Sequence, residues 1–227
     1  LVRTLALAAA LALPAAAPAA GLADLSNRDA INGLKRALVE GSQAAVARLR
    51  VEDGFFGNAR VKIPLPPSLR SVEAVARSIG MSPQADELVL RINRAAEAAV
   101  PQAEKLLVDA AKKMSVSDAK GILAGGEDAA TQYFRRATAE PLAKRFRPIV
   151  KRAMAKVKLA EKYNEIAASG AKLGLVKEDD ANLEDYVTRK TLDGLFVTLA
   201  EEEKKIRQDP AKAASSIVRK VFGAIGK

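Results

Sequence analysis

NLEDYVTRKTLDGLFVTLAEEEKKIRQ, residues 182–208, decides the fold class. Asn182 stands where a helix cap belongs, and Glu184 and Asp185 fall in the first turn after it. Acids there oppose the positive end of the helix dipole, and a capping side chain satisfies a free N–H group. Leu192, Leu195, Leu199 and Ile206 then follow at intervals of three, four and seven, which line up on one face only at the helical period. Nothing in the segment alternates with period two.

The same pattern recurs on either side. Upstream, Ser26 and Asp29 open a helix over about 27–50, with Ile31, Leu34, Leu38, Ala45 and Leu49 as its buried face. Leu69, Val72, Val75 and Ile79 make a short helix stopped by Gly80. Ser82, with Pro83 behind it, caps the next, whose face is Leu88, Ile92, Ala95 and Ala99. Pro101 breaks or kinks that helix, and a further piece runs to about Met114. Ser117 caps a short helix ending at Gly125 and Gly126, and a long helical stretch from about Asp128 to Ala168 is interrupted near Pro141 and Pro148. Downstream, Asp209-Pro210 starts a last helix burying Ile217, Val221 and Phe222. Between the first two helices, Lys62-Ile63-Pro64-Leu65-Pro66-Pro67 is expected to be an extended arm, because each proline disfavours helix at its predecessor. The fold class is therefore all-α: a single-domain multi-helix bundle with an extended Pro-rich arm.

Composition fits. The chain of 227 residues is 49% hydrophobic but only 4% aromatic, with no Trp, so its core is aliphatic and Ala-rich. It contains no Cys and no His. That closes off disulfides, thiol nucleophiles, lipidated cysteine, Ser–His triads and imidazole metal sites. No cofactor and no metal site is expected. The net charge is +10.

Residues 1–20 read as a secretory signal: Arg3, an unbroken apolar stretch Leu5–Leu13, then Pro14 and a small-residue tract. The stretch is too short to span a bilayer. Cleavage after Ala19 or after Gly21 fits best, and residues 21–227 are expected to form one helical domain in the periplasm.

Three stretches carry a family resemblance: Lys62 through Leu69, Ala95 through Arg136, and Ala181 through Pro210. With the opening segment from Gly21 they resemble the bacterial domain-of-unknown-function family 4197 across essentially all of the chain after the signal. The resemblance implies an exported protein of a Gram-negative bacterium and a helical fold. It implies no activity and carries over no catalytic residue.

The charge is unevenly spread. Nine basic residues (Arg135, Arg136, Lys144, Arg145, Arg147, Lys151, Arg152, Lys156, Lys158) and one acid, Glu140, lie between 135 and 158. Leu142, Phe146, Val150, Ala153 and Val157 mark the opposite face. A basic amphipathic helix suits an anionic membrane surface or an acidic envelope protein. The bland reading is a solvated face, partly offset by Glu201, Glu202 and Glu203 on a neighbouring helix. Nucleic acid is not the expected partner, given export and few aromatics to stack bases. The turn holding Gln132, Tyr133, Arg135 and Arg136 combines hydrogen-bonding and charged groups. With Lys144, Arg147, Lys151 and Arg152 it forms the candidate ligand or partner site.

Other motifs are weak. Ser117…Lys120 and Ser169…Lys172 match Ser-x-x-Lys, but the accompanying Ser-Asp-Asn and Lys-Thr-Gly elements are missing. The acids from Glu178 to Asp185 lack the glycine and terminal glutamate in the register of a calcium loop. Three functional readings result: a non-catalytic binding module for an apolar or anionic ligand or the membrane surface; a scaffold of the cell envelope docking through the Pro-rich arm; and a hydrolase using carboxylates without His or Cys.

Overall fold

A computed structural model describes residues 27–67, 82–155, 160 and 182–225. The signal segment 1–20, the Ser26 cap, the helix over 69–79, residues 169–172, the acids 178–180, Lys156 and Lys158 lie outside the described residues.

The described chain is helical, with no strand. Helix α1 is Asn27–Leu49, α2 Ser82–Ala99, α3 Ala103–Lys113, α4 Val116–Ala124, α5 Ala129–Met154, α6 Leu183–Gln208 and α7 Ser216–Ile225. Helix α5 packs against α6, α2, α3 and α4, while α1 packs against α3, α6 and α7. Leu34, Leu49, Ile92, Leu107, Leu142, Phe146 and Phe196 are among the side chains buried at the centre.

Several boundaries fall where the sequence puts them. Asn182 Oδ1 accepts the Asp185 N–H at 3.0 Å, capping α6. Pro101 sits in a 3₁₀ turn, Val100–Gln102, between α2 and α3. Others differ. The cap of α4 is Ser115, not Ser117: Ser115 Oγ accepts the Asp118 N–H at 3.1 Å and the Asp118 carboxylate accepts the Ser115 N–H at 3.1 Å. This reciprocal pair satisfies two donors, which Ser117, already inside the first turn, cannot do. Pro210 opens only a 3₁₀ turn, and α7 begins at Ser216, burying Val218, Val221 and Phe222 while Ile217 is half-buried.

The prolines of α5 do not interrupt it; both Pro141 and Pro148 lie inside one continuous helix. A proline frees the carbonyl four residues earlier. Those carbonyls belong to Ala137 and Lys144, both exposed, so water can take them.

The loop between α1 and α2 is fastened by α2. Buried Asn93 accepts the Ile63 N–H at 2.8 Å and donates to the Ile63 and Val89 carbonyls at 2.9 and 2.8 Å. Buried Glu97 accepts the N–H groups of Phe55 and Phe56 at 3.0 and 3.2 Å and pairs with Arg94, which reaches on to Glu52 and Asp53. Ile63 and Leu65 are buried, and the Tyr186 hydroxyl donates to the Pro64 carbonyl at 3.1 Å. Phe55 lies against Gly194 of α6, where a Cβ would come within 2.6 Å of the ring.

Candidate anion-binding face

Helix α5 buries a row four residues apart, Ala130, Phe134, Thr138, Leu142, Phe146, Val150 and Met154, with Thr131 beside its first member. Ala153, expected in this row, is only half-buried. Two positions beyond the residues of this row from Ala130 to Val150 lies an exposed row: Gln132, Arg136, Glu140, Lys144, Pro148 and Arg152. A row of period four drifts by about 40° per step around a helix of 3.6 residues per turn. The buried row therefore winds across several partner helices in succession, as the packing of α5 on α2, α3, α4 and α6 requires.

The candidate residues divide by what they touch. Gln132 is exposed and donates to Asp128 at 2.9 Å. Tyr133 is half-buried, donates its hydroxyl to the Ala110 carbonyl at 2.9 Å and tilts against Phe134; burial, and then the charge of Asp118, push its phenol up. Arg135 stands 4.5 Å from the Phe196 ring and 3.6 Å from Asp193. Arg147 pairs with Asp185. Lys144 pairs with Glu140 at 2.6 Å, and that hydrogen bond holds the Glu140 carboxyl below its usual range. Arg136, Arg145, Lys151 and Arg152 are exposed and have no ion-pair partner among the described residues. So the side chains of the turn 132–136 part company: Tyr133 and Arg135 contact other helices, while of the unpaired cations Arg145, Lys151 and Arg152 gather towards the C-terminal end of α5 and Arg136 stands apart from them.

The acidic run of α6 does not offset these cations. Glu201 pairs with Arg48 and Arg60, and Glu202 with Lys205 and Arg48. Glu203 is buried: its two oxygens accept the N–H groups of Ala130 and Thr131 at 3.0 and 2.9 Å, the Thr131 hydroxyl and the Arg207 guanidinium. It caps α5 from another helix, because the side chain of Asp128, at the cap position, makes no capping bond.

Arg145, outside the candidate set, shares the exposed face of Lys144, Lys151 and Arg152. Its signal was present in Lys144-Arg145 and Lys151-Arg152, two identical pairs one heptad apart with Pro148 midway.

A cavity of about 20 Å³ lies between α1, α5, α6 and α7, lined by Leu34, Leu38, Phe134, Leu199, Phe222 and Glu203. That is room for about one water. Among the described residues, no group of three His, Cys, Asp or Glu could hold a metal ion, and no helix is long and apolar enough to cross a membrane.

The family model described as "Protein of unknown function (DUF4197)" matches residues 24–223. The chain belongs to this family. No curated protein and no solved structure matches it. For this DUF4197 chain, then, chemistry must be read from its own side chains. Those of α5 offer cations to solvent.

Proposed function

We propose that this is an exported, non-catalytic binding module of the bacterial envelope that adsorbs to an anionic membrane surface through the outer face of α5. One observation carries the reading: Arg145, Lys151 and Arg152 stand exposed with no ion-pair partner among the described residues, on a helix whose only acid is Glu140. Export, which the N-terminal sequence pattern supports, puts such a face within reach of membrane headgroups. No aromatic side chain is exposed on it, which favours headgroups over stacked bases.

The other readings have less to rest on. The scaffold reading drew on the apolar residues around Pro64, but Ile63 and Leu65 are buried within the chain. The space between α1, α5, α6 and α7 gives carriage of an apolar ligand little support, since it has room for about one water. The hydrolase reading needs free paired carboxylates, whereas buried Glu97 and Glu203 are each committed to backbone donors and an arginine.

Sedimentation with phosphatidylglycerol-containing vesicles at low and high salt tests the proposal. A cation near an anionic surface contributes about 1 kcal/mol, so replacing Arg145, Lys151 and Arg152 together by Ala weakens adsorption by about 100-fold. Adsorption that ignores salt, or survives the triple substitution, refutes it.

A further inference from the structure

The surface-adsorption reading leaves open which headgroup the face suits, and the surroundings of Pro148 address that. Pro148 is exposed on α5, with Lys144, Arg145, Lys151 and Arg152 at positions −4, −3, +3 and +4 from it. Those four positions are the ones that neighbour a residue on a helix surface, with Cβ atoms about 5–6 Å away. Residues seven apart lie within about 20° of one another around the axis and about 10 Å apart along it, so Lys144 stacks over Lys151 and Arg145 over Arg152. The centre of the four is a short pyrrolidine ring and its rim is four long cationic side chains. At this level the buried residues Phe146 and Val150 lie on the opposite side of the helix.

We propose that the four cations around Pro148 form a receptor for phosphomonoester headgroups of an anionic lipid surface; the inference rests on the adsorption reading above. A phosphomonoester offers about −1.5 to −2 charges and three acceptor oxygens, where a phosphodiester offers one charge and two free oxygens. Arg145 and Arg152 each present a planar fork that takes two phosphate oxygens at once, and the two lysines add point charge. Glu140 engages only Lys144, so Arg145, Lys151 and Arg152 remain for the ligand. The face is the outer side of a helix and has no walls among the described residues, so it meets a surface studded with headgroups better than it encloses a small soluble phosphate.

The test compares full-length protein on phosphatidylcholine vesicles doped with phosphatidic acid or with phosphatidylglycerol, at matched surface potential. Phosphatidic acid vesicles are expected to bind about tenfold tighter. Lowering the pH from 7.5 to 5.5 is expected to shrink that ratio, because the second ionisation of the phosphomonoester lies near pH 6 and the chain has no histidine to titrate in that window. Arg145→Lys with Arg152→Lys keeps every charge and is expected to bring the ratio towards one, with circular dichroism confirming the fold. Equal binding to both vesicles overturns this inference and leaves adsorption standing; salt-sensitive binding to neither overturns both. Tight binding of soluble glycerol phosphate, or DNA binding tighter than either vesicle, also overturns it.

Discussion

One oxygen of Glu203 accepts both the backbone N–H and the hydroxyl of Thr131, each at 2.9 Å, so α6 supplies the cap that α5 lacks. The other oxygen takes the Ala130 N–H and Arg207. Glu203→Ala would strand two buried N–H groups at the positive end of a 26-residue helix and leave Arg207 without its carboxylate. Breaking one side of a buried pair is strongly destabilising. A loss of about 3 kcal/mol is expected in urea unfolding; a loss below about 1 kcal/mol would show that the cap is dispensable.

Two glycines separate packing from propensity. A Cβ at Gly194 would meet Phe55 at 2.6 and 3.2 Å and Val61 at 3.3 Å, with both neighbours buried and unable to retreat. Gly194→Ala is expected to cost about 2 kcal/mol despite the better helix propensity of alanine. Gly121 in α4 has nothing within 4 Å, so Gly121→Ala should gain about 0.5–1 kcal/mol. Thermal melts of the two variants should move in opposite directions.

Asn93 mates both backbone groups of Ile63 inside the core. Asn93→Ala leaves a buried donor and a buried acceptor without partners, at an expected total of about 3 kcal/mol. Amide hydrogen exchange at Ile63 and Leu65 should rise in the same variant before global unfolding. Unchanged protection there would mean that the loop holds itself.

The capping box of α4 is acid-sensitive. Hydrogen bonds from the Ser115 hydroxyl and N–H, and then the charge of Arg136, hold the Asp118 carboxyl below its usual range. A carboxyl lowered by folding stabilises the protein above its unfolded value, and that contribution is lost as pH falls through the lowered folded value. Asp118→Asn should therefore be destabilising at pH 7 and converge with the parent in acid, as pH falls through that lowered folded value. Ser115→Ala should cost about 1 kcal/mol at pH 7. Urea midpoints at pH 7 and along an acid series read both effects.

The helices were legible because their signals are local. Asn182 with Asp185, and the leucines of α6, specify cap and face within one segment. The misplaced cap at Ser117 had the same origin: Ser115 and Asp118 also stand in the sequence, but only the turn after Met114 selects between the two serines. Pro141 and Pro148 read as interruptions because the sequence does not say which side of α5 faces water. The cap from Glu203 was invisible, since 72 residues separate it from Thr131. The cationic face was half legible: the charges could be counted, but which were already paired depended on Asp185 and Asp193 across the helix packing.

The four-residue winding of α5 limits how much of it a plane can touch. From Arg136 to Arg152 the outward direction swings by about 160°, so those two residues cannot rest on one flat sheet. The stretch that can, Lys144 to Arg152, is about 12 Å long. The protein would stand on a small foot at one end of α5 rather than lie along the helix. Under the proposed adsorption, so small a footprint should not sense curvature: small and large vesicles of one composition should bind it alike, and lipid chemistry rather than membrane shape should choose where it sits.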